Sequence, residues 1–193
     1  MTAVPLRPRR MTPDARRAHL VETALQLFAT TPPEHVSVDD VARAADVSRA
    51  LLYRYFAGIE ELRVAALGSV VRELVERVEL RGGQLRPAVA DFLTIAHRHR
   101  AAYVALLRSG SAVATGETAT LLDGVRAHIV GLLGGPTADP LQLVTLRGWV
   151  AVVETATLAW LQDGGMARAE LEEWLVAQFG AMTAVTAART AAQ

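Results

Sequence analysis

Val41-Ala42-Arg43-Ala44-Ala45-Asp46-Val47-Ser48-Arg49-Ala50-Leu51-Leu52-Tyr53-Arg54-Tyr55-Phe56 holds two short helical patterns separated by a tight turn. Just upstream, Ser37 followed three residues later by Asp40 resembles a capping box, in which each side chain satisfies the other residue's backbone amide. It opens a short helix whose apolar positions Val38, Val41, Ala42 and Ala45 recur at helical spacing. Asp46-Val47 forms the turn, and aspartate tolerates a left-handed backbone better than most residues. Ser48 caps a third helix of barely two turns, ending near Phe56-Ala57-Gly58. On that helix Val47, Leu52 and Phe56 share one face and belong to a core. Arg49, Ala50 and Tyr53 lie on another face, with Arg54 beside it.

The flanks extend this pattern. Thr12-Pro13 supplies an N-cap with proline at the first helical position, and Leu20, Val21, Ala24, Leu27 and Phe28 carry a helix over about 13–30. Thr31-Pro32-Pro33 ends it, because proline lacks a donor and restricts the residue before it. Three short helices with a tight turn between the last two form a helix-turn-helix unit. Downstream, Leu62, Ala66, Val70, Leu74 and Val78 mark an amphipathic helix from Ile59 to Leu80, stopped by Gly82-Gly83. Pro87 is expected to start the next, which breaks around His97 to Arg100 and ends at Ser109-Gly110. Residues 109–117 are small and polar and read as a loop, and Glu117 to Leu133 as a helix. Asp139-Pro140-Leu141-Gln142 is a strong helix start, and that helix runs to Asp163 before Gly164-Gly165. A last helix covers about 167–188. Nine helices and no strand pattern define an all-α chain. An N-terminal three-helix unit, 1–58, precedes a six-helix domain, 59–193.

Composition agrees and excludes several chemistries. Alanine supplies 35 of the 193 residues, which favours helix. There is no cysteine, so disulfides, thiolate metal sites and thiol nucleophiles are ruled out. The five histidines, at 19, 35, 97, 99 and 128, have no metal-ligand spacing, and no glycine-rich phosphate loop follows a strand. No cofactor is expected. The longest uncharged run, Trp174 to Ala188, is too short and too polar to span a bilayer, which implies a cytoplasmic protein. Net charge is zero, but residues 1–17 hold five arginines and one aspartate. Such an arm suits phosphate contact, although a solvated tail has the same composition.

The Ser48-x-x-x-Leu52-Tyr53-x-Tyr55-Phe56 pattern, with Glu61-Leu62 after it, resembles the DNA-binding domain of the TetR (tetracycline repressor) family over about 12–63. The remaining length fits the ligand-binding and dimerisation domain of that family. The resemblance implies a ligand-responsive repressor, not an enzyme. It would bind palindromic operator DNA as a homodimer and release it when a small-molecule effector binds. Arg49 is the best base reader, because arginine pairs bidentately with guanine, while Ala50 and Leu51 suit thymine methyls. The resemblance implies that Tyr53 and Tyr55 donate to phosphates. Ser37 and Ser48 sit where helix amides meet phosphates, and Arg43 and Arg54 complete the expected face. For each tyrosine a half-buried structural role stays open, for Arg54 a solvated one, and for both serines simple capping. Three positions depart from the family pattern: Asp46 and Pro32-Pro33 stand where glycines are usual, and Ile59 stands where a phosphate-binding lysine is usual. Ile59 either removes one ionic contact or packs between the third and fourth helices.

In the second domain the expected pocket groups are His97, Arg98, Tyr103, Arg108, Trp149 and Glu154. Glu154 lies in an apolar run, where a charge is costly unless paired. It is either a pocket carboxylate or the partner of Arg147 or Arg100. Gly148, Ala151, Thr155 and Ala159 form a stripe of small residues that permits close packing, within the subunit or across a two-fold axis. Two other classes fit a helical chain less well: a ligand-binding protein with weakened or lost DNA binding, and a cofactor-free helical enzyme.

Overall fold

Side chains at the helix starts account for where the chain turns. The computed structural model describes residues 11–82, 84–107, 116–135 and 138–191. Thr12 caps α1 (Pro13–Phe28) by accepting from the Ala15 amide at 3.2 Å. A single 3-10 turn, Pro33–His35, leads to α2 (Val38–Ala44), where Ser37 and Asp40 form the expected reciprocal capping box. Asp46 takes a left-handed φ of 52°, the one non-glycine residue to do so among those described. That conformation is what the turn into α3 (Arg49–Tyr53) demands, and Ser48 caps α3 through the Leu51 amide. This helix is shorter than expected. The amides of Arg54 and Tyr55 bond to carbonyls three residues back, tightening the last turn so that Phe56 swings inward.

The longer helices follow: α4 (Ile59–Leu80), α5 (Leu85–Arg98), α6 (Arg100–Leu107), α7 (Gly116–Gly134), α8 (Pro140–Asp163) and α9 (Arg168–Thr190). The second of these, α5, starts at Leu85, two residues ahead of Pro87. Proline fits there because the amides of the first turn have no helical partner to lose. His99, at φ −106° and ψ 38°, breaks α5 from α6 where the sequence predicted it. Asp139 and Gln142 cap α8 reciprocally, and Gly164 ends it with a left-handed φ of 65°. The loop expected over 109–117 falls mostly outside the described residues. No strand occurs among those described, and none of their helices is long and apolar enough to cross a membrane.

Two hydrophobic clusters organise the chain. The first joins α1 to α4 around Leu20, Phe28, Leu52, Phe56 and Leu62, each almost without solvent contact. The second packs α5, α7, α8 and α9 around Leu93, Trp149, Val153 and Leu175. Trp149 stacks edge-on against Phe179 at 5.0 Å, and its indole N–H donates to the Leu175 carbonyl at 3.1 Å. Full burial of such side chains contributes about 1.5–3 kcal/mol each. Helix α4 belongs to both halves: Leu62, Ala66 and Val70 enter the first cluster, while Val71, Leu74 and Val78 face a cavity among α4 to α8.

Candidate DNA-binding face and internal cavity

The two faces of α3 separate as its sequence requires. Leu52 is fully buried and Phe56 is 1% exposed, so both anchor the helix to α1 and α2. Ser48, Arg49, Ala50, Tyr53 and Arg54 are exposed, Tyr53 at 48%. Leu51 is half-buried, and Tyr55 packs against the first cluster, the structural alternative for that tyrosine. Arg49 is not free: its Nε and Nη1 lie 3.0 and 3.2 Å from the two carboxylate oxygens of Asp39, at the start of α2. Arg43 pairs with Asp40 at 3.2 Å but stays exposed. Ser37 holds the Asp40 carboxyl below its ordinary value, first through its hydroxyl and then through its amide. Arg17 lays its guanidinium over the Phe56 ring, 4.8 Å from the centroid. Arg7, Arg9 and Arg10 of the basic arm lie outside the described residues.

Ile59 is half-buried and packs against the first cluster, where α3 hands over to α4. A lysine there would leave apolar surface unfilled and bring a charge to the edge of a core. Ile59→Lys is therefore expected to lower Tm by roughly 2–4 °C, the shift expected for about 1 kcal/mol in a chain of this size. The dependence of DNA affinity on salt should stay as it was. A slope steeper by about 0.9 per subunit would instead place a phosphate within reach.

Arg63, which the sequence reading passed over, ties α4 to the helix-turn-helix unit. It is 8% exposed. Its Nε donates to the Pro33 carbonyl at 2.6 Å, and its Nη2 donates to the carbonyls of Glu34 and Val36, each at 3.2 Å. Its Nη1 pairs with Glu60. The available signal was an arginine set between Leu62 and Ala66 on the buried stripe of α4.

A cavity of about 100 Å³ lies among α4, α5, α6, α7 and α8, with aliphatic and aromatic walls. Of the expected pocket groups, Tyr103, Trp149 and Glu154 stand in its wall. His97 and Arg98 do not. Both are exposed at the end of α5, His97 lying 5.5 Å from the Trp160 ring and Arg98 donating to Glu73 at 2.8 Å. The inward face of α5 at that level belongs to Ile95 and Ala96, which leaves the next two side chains outside. Arg108 lies outside the described residues.

Glu154 does carry an ion pair, but with Arg126 on α7, not with Arg147 or Arg100. Arg126 Nε reaches the two Glu154 oxygens at 2.9 and 3.1 Å, Nη2 reaches Oε2 at 2.9 Å, and Nη1 donates to Asp123 at 2.9 Å. Hydrogen bonding to Glu154 pushes the Arg126 guanidinium further up, against a smaller effect of burial. Tyr103 donates its hydroxyl to the Glu154 backbone carbonyl at 3.4 Å. Burial, and then the Glu154 charge, push that phenol far above its ordinary value, so it stays neutral at physiological pH.

Fold and site thus define a helix-turn-helix protein whose helical body encloses a small apolar cavity. The chain matches the family model described as bacterial regulatory proteins, tetR family, over residues 20–66. It matches the model described as tetracyclin repressor-like, C-terminal domain, over 81–182. A tetR-family transcriptional regulator from Streptomyces coelicolor, known by its crystal structure, is 34% identical and superposes with a TM-score of 0.83, covering 93% of this chain and 85% of that one. A TetR-like regulator from Rhodococcus sp. RHA1 shares the fold at 18% identity and a TM-score of 0.70, covering 91% and 99%. A Mycobacterium tuberculosis protein named as a mycofactocin biosynthesis transcriptional regulator, MftR, is 29% identical over 167 residues, 79% of this chain and 83% of that protein. The chain belongs to the TetR family of transcriptional regulators, and its function is that of a ligand-responsive DNA-binding regulator, not an enzyme.

Proposed function

We propose that this chain is a cytoplasmic repressor that grips a palindromic operator as a homodimer and lets go when a small molecule fills the cavity. Residues 1–58 form the DNA-binding unit, and 59–193 form the effector and dimerisation unit. The observation that carries this reading is the double membership of α4. One helix packs Leu62 and Ala66 into the core beneath α3 and turns Val71 and Leu74 to the cavity wall. An effector that favours one position of α4 over another shifts the recognition helices by the same free-energy difference. Coupling of about 1–3 kcal/mol lowers operator affinity roughly 5–150-fold.

On the DNA side, Arg49 reads a base and Tyr53 holds a phosphate, with Ser37, Arg43, Ser48, Ala50, Leu51, Arg54 and Tyr55 around them. In the free protein Asp39 occupies the Arg49 fork. This exposed pair contributes at most about 1 kcal/mol, less than the 1–3 kcal/mol of a bidentate guanine contact, so the arginine exchanges partners on binding. Arg49→Ala should therefore lose about 1–3 kcal/mol on the operator and relax preference at one base position per half-site. Tyr53→Phe should weaken operator and non-specific DNA alike, since phosphates carry no sequence information. Titration of both variants against operator and scrambled duplexes tests the division of labour, and equal loss of discrimination in the two would defeat it.

A further inference from the structure

The cavity is lined almost wholly by carbon, and its few polar groups gather around Glu154. Along α4 the wall runs from Val70 to Val78, which is roughly 12 Å at the rise of an α-helix. A volume of about 100 Å³ spread over that length is a narrow slot. It suits an alkyl chain or a thin flat ring, and apolar cavities of similar size are known to take benzene.

Charge at the polar end is already arranged. One guanidinium, Arg126, faces two carboxylates, Asp123 and Glu154, so the trio carries a net negative charge. Nε and Nη2 of Arg126 are turned to Glu154 and Nη1 to Asp123. An entering carboxylate would have to displace Glu154 from that fork and leave a largely buried carboxylate without its cation, which is strongly unfavourable. A hydrogen-bond donor meets the opposite situation. Glu154 retains lone pairs beyond those used by Arg126, and the Tyr103 oxygen keeps acceptor capacity while its hydroxyl donates to the Glu154 carbonyl. A donor is therefore accommodated without breaking any existing bond.

We propose that the effector is a predominantly apolar compound whose polar group donates a hydrogen bond, a hydroxyl or an ammonium, to Glu154 and Tyr103, and that carboxylates are excluded. This rests on reading the cavity as the effector site. Arg126 acts as a positioning residue: it fixes the Glu154 carboxylate and, by being occupied, denies itself to anions.

The test uses the full chain and three probes of eight carbons each, octan-1-ol, octylamine and octanoate, with Kd measured by titration calorimetry. Octanol or octylamine should bind at least about tenfold tighter than octanoate, a difference of about 1.4 kcal/mol. Octanoate binding equally well or better overturns the head-group assignment alone. Binding by none of the three overturns the cavity reading itself. Glu154→Gln separates recognition from general packing: it releases part of the Arg126 fork, so octanoate should gain affinity while the two donors lose it. An unchanged ratio in a variant whose circular dichroism is that of the parent overturns the role given to Glu154. The comparison on the parent protein decides the head group even where the variant does not fold.

Discussion

Arg63→Ala is expected to destabilise the helix-turn-helix unit by about 3 kcal/mol, among the larger effects available to a single substitution. The guanidinium donates to three backbone carbonyls of the segment that connects α1 to α2. That segment forms only one 3-10 turn, so its carbonyls have few helical donors of their own. Removing the arginine leaves them buried with fewer partners, at about 1–3 kcal/mol for each group left wanting. Lysine brings three donors on one nitrogen and no planar fork, so Arg63→Lys should recover less than half of the loss. Glu60 is largely exposed, and Glu60→Ala should cost no more than about 1 kcal/mol. Urea unfolding followed by circular dichroism ranks the three variants. An alanine variant within about 1 kcal/mol of the parent would mean that the connecting segment is held by its own packing. Operator affinity should fall with Arg63→Ala, because the same segment sets the start of α2, against which Arg49 and Asp39 are placed.

These cross-helix contacts divide what the sequence made legible from what it did not. Local rules act within about four residues, and they located Ser37 with Asp40, Asp139 with Gln142, the left-handed Asp46 and the Gly164 stop. The burial of Leu52 on α3 followed from periodicity, whereas Phe56 lies past the helix end and is brought inward by the tightened last turn. The roles of Arg63 and Arg126 were invisible to such rules because their cross-helix partners stand 27–30 and 28 residues away, beyond the local pairs with Glu60 and Asp123. An arginine on an apolar stripe announces that a partner exists, not which one. Glu154 shows this limit: a charge in an apolar run asked either for a cation or for a pocket role, and the cation proved to be Arg126 and neither Arg147 nor Arg100. The expected pocket set failed at His97 and Arg98 for a related reason. A helix only four turns long presents its polar end to solvent or to a pocket according to its neighbours, and α6 turns away at His99 just where that choice is made.

Substituting arginine at Ala151 is expected to produce monomers and to lower operator affinity by at least about a hundredfold, nearly 3 kcal/mol. Two helices carry exposed apolar side chains that a subunit on its own leaves wet: Val144 on α8 is 62% exposed, and on α9 Trp174 and Val185 are 44% and 72% exposed. Ala151, Thr155 and Ala159 on α8 and Ala181 on α9 lie among them and are also exposed. Small residues beside larger apolar ones allow helices of a second copy to approach closely. A two-fold axis brings each stripe against its own counterpart, so one substitution places like charges opposite each other in the interface. The same two-fold places the two recognition helices about 34–36 Å apart, as successive half-sites require. Gly148 supplies the internal control. A methyl group there would come 3.3 Å from the Met182 side chain of the same subunit, so it faces α9 and not a partner. In Gly148→Ala the helix propensity of alanine offsets the close approach to the flexible end of Met182, and the mass by light scattering should stay that of a dimer. Ala151→Arg should instead give the mass of a monomer and a Tm lowered by loss of the partner. Dimers persisting in Ala151→Arg at low micromolar concentration would move the interface off this face.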